Sequence, residues 1–95
     1  MARLKDKVAF ITGAGSGIGR ASAQLFAAQG AQVVIAEIDE VAGKQTQQLV
    51  EQAGGCALFV RTDVTDEQSV CAAVKAAVDR FGRINVLSNN GGGST

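Results

Sequence analysis

Apolar residues along this chain alternate between short continuous runs and longer stretches with helical spacing. The continuous runs, typical of strands buried on both faces of a parallel sheet, lie at residues 7–12, 32–36, 56–60 and 84–88. The helical stretches lie at residues 17–29, 40–52 and 66–81. Glycine follows each helical stretch within two residues, as expected where helices end. The order β-α-β-α-β-α-β predicts an α/β fold with a doubly wound parallel sheet.

The helical spacing also predicts which side chains face the sheet. The predicted contact stripes are Ile18, Ala21, Leu25 and Ala28 in the first helix, Val41, Leu49, Val50 and Ala53 in the second, and Val70, Val74, Ala77, Val78 and Phe81 in the third. Asp39 is predicted to cap the second helix. Thr65, with Gln68 three residues later, forms a capping-box pattern at the start of the third.

A doubly wound sheet of this kind has the expected strand order 3-2-1-4, with its ligand crevice at the carboxyl ends of the strands. The fourth strand is then an uncovered apolar edge, and the third helix stands alone on its face of the sheet. We therefore expect an incomplete sheet that exposes apolar surface. Its open edge offers a surface for self-association.

Composition narrows the possible functions. The chain has 95 residues, enough for one domain, and 46% of them are hydrophobic and 19% charged. Its net charge of zero argues against a nucleic-acid partner. Because no apolar run reaches the length of a signal-peptide core or a membrane span, the expected location is the cytoplasm. Residues 91–95 show no pattern and are expected to be disordered.

Missing residue types exclude several kinds of chemistry. The absence of His excludes Ser-His-Asp hydrolases and His-containing zinc sites, and there is no Tyr. Cys56 and Cys71 form no metal-binding motif, and we expect two buried or half-buried thiols in a reducing compartment. No metal site is predicted.

A glycine-rich turn joins the first strand to the first helix. Residues 12–19 read T-G-A-G-S-G-I-G. Glycines let the backbone approach a pyrophosphate, and the N-terminus of the following helix favours an anion. Ser16 adds a hydroxyl that can donate to a phosphate oxygen.

Three motifs in order resemble those of the short-chain dehydrogenases/reductases. Gly13, Gly17 and Gly19, with Thr12 before them and Ile18 between them, match T-G-x-x-x-G-I-G. Residues 63–64 read D-V, and residues 87–92 read L-S-N-N-G-G, which resembles L-V-N-N-A-G. The departures from the family pattern are Asn85, Ser88 and Gly91.

The resemblance implies a Rossmann-type fold in which the whole chain, residues 1–95, is the N-terminal dinucleotide-binding part of an oxidoreductase. Glu37, at the end of strand two, can accept hydrogen bonds from the adenosine ribose hydroxyls, and Asp39 is a rival for that role. Family members that prefer NADP usually carry a basic residue where this chain has Ser16 or Ile38. The expected cofactor is therefore NAD(H) rather than NADP(H).

Three further residues receive cofactor-binding roles from the resemblance. Asp63 can accept a hydrogen bond from the adenine amino group, with the Val64 backbone in support. Asn90 either holds the adenosine side of the cofactor or ties strand four to its neighbour, and both alternatives remain open.

Catalysis in this family uses Ser, Tyr and Lys to transfer hydride between the cofactor and an alcohol or carbonyl substrate. This chain has no Tyr, and its four lysines lie in the N-terminal arm or on predicted helices. No catalytic residue is therefore assigned, and the chain alone is expected to bind without turnover. Two alternatives are a non-catalytic dinucleotide-binding or interaction module and a fragment of a methyltransferase that uses S-adenosylmethionine.

Overall fold

The computed structural model describes residues 3–90 as a four-stranded parallel sheet with helices on both faces. The strands are β1 (Val8–Thr12), β2 (Gln32–Glu37), β3 (Cys56–Arg61) and β4 (Val86–Asn89). The helices are α1 (Gly17–Ala28), α2 (Glu40–Gln52) and α3 (Glu67–Phe81). The strand order β3-β2-β1-β4 confirms the predicted doubly wound topology. The tail predicted to be disordered, residues 91–95, lies outside the described residues.

The core has two layers because successive residues of a strand point to opposite faces of the sheet. Ile11 and Ile35 pack on the face that carries α1 and α2, where Ala23 and Val50 meet them. On the opposite face, Phe10 belongs to the cluster completed by two alanines of α3. Every residue of β1 is buried, as the continuous apolar run predicted.

The predicted contact stripe of α1 is wrong. Ile18 and Leu25 are 77% and 60% exposed, and the buried residues of this helix are Gly19 and Ala23. Ala21 and Ala28 are exposed as well. Helix α1 rests on the sheet through Gly19 and Ala23, and the half-buried Phe26 and Ala27 also pack against the core on this face. The buried residues also have helical spacing, but they lie on a different face of the helix from the predicted stripe.

The predicted contact stripes of α2 and α3 are correct in part. In α2, Val50 is buried as predicted, but Gly43 and Thr46 complete the buried face while Val41 is 68% exposed. A side chain at Gly43 would overlap the ring of Phe59 in β3. Leu49 and Ala53 are exposed. The stripe of α3 is correct at Ala77 and at Phe81, which packs against the buried cluster on this face, and Val70 is half-buried. Ala73 is the other buried residue, and Val74 and Val78 are exposed.

One of the two predicted helix caps is confirmed. Asp39 accepts a hydrogen bond from the Ala42 amide at 3.1 Å. The prediction for Thr65 is wrong, because Asp66 directly precedes α3 and accepts from the Gln68 amide at 3.0 Å. Asp66 occupies the cap position, so Thr65 is one residue too early and makes a different contact, described below.

Strand β4 lies at an edge of the sheet and leaves apolar surface uncovered. Its Leu87 is 70% exposed. Leu87, Phe10, Val70 and Val74 contribute to a groove of about 280 Å³ between β4 and α3. Within residues 3–90, α3 is the one helix on this face, which agrees with the expected incomplete sheet.

Two further findings concern thiols and helix length. Cys56 is half-buried as expected, but Cys71 is exposed, so the expectation for the Cys71 thiol is wrong. Cys71 lies on α3 away from Ala73 and Ala77, the two residues that face the sheet. Among the helices of residues 3–90, none combines the length and the apolar character needed to cross a membrane.

Candidate functional site

The candidate site lies at the carboxyl ends of β1, β2 and β3, where the glycine-rich turn enters α1. The Gly13 amide donates to the carbonyl oxygen of Ala36 at 2.9 Å, which anchors the turn to β2. Gly13 and Gly17 have φ angles of 63° and 56°, in the left-handed region that favours glycine. The turn therefore needs glycine at these two positions to keep its shape.

The N-terminal end of α1 is open. Ser16 precedes the helix, but its side chain makes no capping hydrogen bond. A Cβ atom added at Gly17 would meet no atom within 4 Å. Ser16, Gly17 and Ile18 are all exposed. Amides of the first helical turn have no intrahelical partner, so this end of α1 can accept an anion close to the backbone.

Gly19 is buried, as is Gly15 in the same turn. A Cβ at position 19 would overlap the carbonyl oxygen of Gly13 and crowd the backbone of Ala14. Position 19 therefore requires glycine, because the backbone of Gly13 packs directly against the start of α1.

Glu37 joins the end of β2 to the glycine-rich turn. Its Oε1 accepts a hydrogen bond from the Gly15 amide at 2.8 Å, and its Oε2 accepts from the Asp39 amide at 3.1 Å. The Asp39 carboxylate instead caps α2 through its bond with the Ala42 amide. Glu37 and Asp39 are the two candidates for the ribose hydroxyls, and of these Glu37 lines the cavity described next.

A cavity of about 230 Å³ opens beside Glu37 at the ends of the strands. It is lined by Gly13, Ala36, Glu37, Ile38, Thr62, Asp63, Val64 and Thr65. The cavity thus brings together five residues that the sequence predicts to bind a cofactor, from three separate segments: Gly13, Glu37, Ile38, Asp63 and Val64. Its lining contains two carboxylates and no lysine or arginine.

Arg20, the cation nearest to the glycine-rich turn in sequence, points elsewhere. Its Nε donates to the hydroxyl of Thr46 at 2.9 Å, and one terminal nitrogen donates to the side chain of Gln45 at 3.2 Å. The same nitrogen donates to the carbonyl oxygen of Ala42 at 3.3 Å. These contacts fasten the guanidinium to α2, outside the lining of the cavity.

Asp63 is held by its neighbours. Its Oδ1 accepts from the hydroxyl of Thr65 at 2.6 Å and from the Thr65 amide at 2.9 Å. Its own amide donates to the hydroxyl of Ser69 at 2.9 Å. The Thr65 hydroxyl, then the Thr65 amide, and to a smaller extent the charge of Arg61 hold the pKa of the Asp63 carboxyl below its ordinary value. Asp63 is therefore an ionised acceptor near neutral pH.

Replacing Thr65 with Ala is expected to raise the Asp63 pKa partway toward its ordinary value, because one of two hydrogen bonds to the ionised carboxyl is lost. A folded-state pKa below the unfolded value stabilises the fold above the unfolded value, and this contribution is lost as pH falls through the folded value. The variant should therefore lose less stability on acidification. NMR titration of the Asp63 carboxyl measures the change.

Glu40 serves as the internal control for that titration. Its pKa is lowered mainly by the side-chain hydrogen bond with Lys44, and Thr65 contributes nothing to the shift. The Glu40 pKa should stay constant in the Thr65→Ala variant. An unchanged Asp63 pKa would show that the Thr65 hydroxyl does not bind this carboxyl.

Asn90 lies apart from the cavity and contacts the end of β1. Its amide donates to the hydroxyl of Thr12 at 3.1 Å, and its Nδ2 donates to the hydroxyl of Ser88 at 2.9 Å. The Thr12 hydroxyl in turn donates to Oδ1 of Asn89 at 2.8 Å. These contacts belong to the strand-tying alternative, and a cofactor contact for Asn90 stays a prediction.

Sequence reasoning missed several residues of this site. Thr62 and Thr65 line the cavity, and Gly15 binds Glu37. Thr65 was recognisable from its spacing, since an Asp commonly binds the backbone two residues later. No sequence pattern indicates that Thr62 lines the cavity or that the Gly15 amide binds Glu37, because both contacts depend on how separate segments meet.

Known proteins that resemble this chain in sequence and in fold are short chain dehydrogenases and other oxidoreductases. The model of the family described as short chain dehydrogenase matches residues 7–95. An uncharacterized oxidoreductase of Thermotoga maritima is 51% identical over 87 residues, which are 92% of this chain and 34% of that protein.

Two solved structures resemble the fold closely. A hydroxysteroid dehydrogenase from Escherichia coli superposes with a TM-score of 0.93 at 41% identity, covering 97% of this chain and 39% of that chain. A short chain dehydrogenase/reductase from Burkholderia phymatum, in complex with NAD, has a TM-score of 0.87 at 42% identity. That match covers 92% of this chain and 31% of the other. The chain therefore spans about a third of the length of the proteins it matches.

Proposed function

Because this chain belongs to the short chain dehydrogenase family, we propose that it binds NAD(H) as the dinucleotide-binding part of an oxidoreductase. The observation that carries the proposal is the cavity at the strand ends, which brings the Glu37 and Asp63 carboxylates beside the glycine-rich turn. The related structure from Burkholderia phymatum holds NAD. A nicotinamide dinucleotide is thus the cofactor class supported by the family.

The described residues fit the parts of a dinucleotide. The uncapped start of α1 and the exposed Gly17 suit the pyrophosphate, and the Ser16 hydroxyl can donate to one of its oxygens. Glu37 would accept from the adenosine ribose. Asp63 and Val64 would lie beside the adenine. When bound, the cofactor supplies the hydride chemistry, and these residues hold and orient it.

NAD(H) rather than NADP(H) is proposed from the charge of the site. Its lining holds two carboxylates and no cation. The Arg20 guanidinium is bound to α2 through Thr46 and Gln45, so it is not oriented to neutralise a 2′-phosphate. A 2′-phosphate beside Glu37 would bring like charges together, which raises the free energy of binding.

For the whole protein we propose hydride transfer between NAD(H) and an alcohol or carbonyl substrate. This 95-residue sequence contains no Tyr, the residue that the resemblance assigns as proton donor. We therefore propose that these residues bind the dinucleotide without turning over substrate by themselves. Self-association through the open edge of β4 stays a prediction.

Replacing Glu37 with Ala tests the proposed function. We expect NADH to bind about tenfold or more weakly, the scale of a hydrogen bond to a charged group, and we expect the preference over NADPH to narrow. Titrations of the 95-residue chain with NADH and NADPH, followed by cofactor fluorescence and calorimetry, measure both dissociation constants.

Glu40 provides the matched control. It carries the same charge and lies three residues further on, but it is exposed and pairs with Lys44 at 2.8 Å, outside the cavity lining. Glu40→Ala should leave both affinities unchanged. Failure of the unsubstituted chain to bind either nucleotide would contradict the proposed function, and unchanged selectivity in Glu37→Ala would contradict the role of Glu37.

A further inference from the structure

The Glu37 carboxylate is oriented by two backbone amides from different segments. Gly15 donates to Oε1 at 2.8 Å, and Asp39 donates to Oε2 at 3.1 Å. A carboxylate has about four acceptor positions, two on each oxygen. With one position on each oxygen already occupied, Glu37 retains about one free position on each, and it lines the cavity. Two adjacent acceptors of this kind match the two hydroxyls of a vicinal diol.

Gly15 leaves the space in which this carboxylate lies. A Cβ at position 15 would come within 2.7 Å of Oε1 and 2.8 Å of Cδ and Cγ of Glu37, and the three nearest heavy atoms all belong to that side chain. Gly15 is absent from the described glycines with positive φ. An alanine there is therefore compatible with the backbone, and its methyl group would displace the movable end of Glu37.

We propose that Gly15 is a positioning residue for ribose selection, and this inference rests on the proposed function of the site. Its amide holds the Glu37 carboxylate, and its missing side chain keeps the carboxylate in place. A fixed carboxylate pairs with a ribose diol without first losing its own rotational freedom. It also keeps a negative charge where a 2′-phosphate would lie. Displacing the Glu37 carboxylate should therefore weaken both the binding of the ribose diol and the repulsion of a 2′-phosphate.

A double-mutant cycle on the 95-residue chain tests the proposal. Gly15→Ala is expected to raise the Kd for NADH about tenfold while changing the Kd for NADPH less. In the Glu37→Ala background the same substitution should have no further effect on either nucleotide, because the side chain through which it acts is gone. In the control background Glu40→Ala, Gly15→Ala should keep its full effect.

A measurement without nucleotide tests the contact itself. The amide proton of Gly15, observed by NMR, should move upfield in Glu37→Ala, because it loses a charged acceptor, and should stay in place in Glu40→Ala. This comparison needs no substitution at Gly15, so it remains available if Gly15→Ala folds poorly.

The possible outcomes separate this inference from the proposed function. Equal effects of Gly15→Ala in the presence and absence of Glu37 would overturn the inference while leaving dinucleotide binding intact. An unmoved Gly15 amide in Glu37→Ala would also overturn it. If the unsubstituted chain binds neither NADH nor NADPH, the proposed function fails and the inference fails with it.

Discussion

Replacing Gly17 with Val is expected to weaken NADH binding by more than about a hundredfold, the scale of losing two hydrogen bonds to a charged group. Gly17 has a φ of 56°, a conformation that β-branched residues rarely adopt. The space beside it is open, with no atom within 4 Å of an added Cβ. A valine would both strain the turn and fill the space that the pyrophosphate is proposed to enter.

Gly54→Val is the matched control for the backbone strain. Gly54 also has a positive φ, of 90°, and open space around its Cβ position, but it follows α2 at the other end of the strands. Both variants should lose stability through the unfavourable conformation. Calorimetric titration with NADH should show loss of binding in Gly17→Val alone. Equal weakening in both variants would show that lost stability, rather than the blocked space, causes the effect.

Replacing Gly19 with Ala is expected to lower the free energy of unfolding by about 2 kcal/mol. The added Cβ would overlap the carbonyl oxygen of Gly13, which is backbone and cannot rotate aside as a side chain can. Overpacking of this kind costs about 3 kcal/mol, and the better helix propensity of Ala recovers about 1 kcal/mol. A loss of that size is a large part of the stability of a small domain.

Urea denaturation followed by circular dichroism measures this loss, and Gly15→Ala is its control. At Gly15 the added Cβ meets the end of the flexible Glu37 side chain instead of backbone. Gly15→Ala should therefore lower the urea midpoint less than Gly19→Ala does, because its cost is limited to the hydrogen bond between the Gly15 amide and Glu37. Equal midpoints for Gly19→Ala and the unsubstituted chain would mean that the turn opens without cost.

The candidate site was predicted in part. Gly13, Glu37, Ile38, Asp63 and Val64 were singled out from the sequence, and the structure brings them to one cavity. Parallel strands place their carboxyl ends at the same edge, so residues at those ends meet whatever the details of packing. The partners of the carboxylates were not predictable in this way. The capping-box pattern places Thr65 at a helix cap, whereas in the structure its hydroxyl donates to Asp63.

The pattern of apolar residues predicts the order and type of the elements and the topology of the sheet, which the structure confirms. Continuous apolar runs mark strands buried on both faces, and connections through helices make those strands parallel. These are local signals, and each lies within a few neighbouring residues. The glycine spacing, the D-V pair and the L-S-N-N-G-G segment likewise indicate the family whose model matches residues 7–95.

Tertiary packing sets which helix faces are buried and which contacts hold the side chains of the site. Helix α1 turns Gly19 and Ala23 toward the sheet, packs Phe26 against the same core, and leaves Ile18 exposed. The bond from Gly15 to Glu37 joins residues 22 positions apart. Such contacts depend on the distance and rotation between packed elements, which apolar periodicity within one element does not specify.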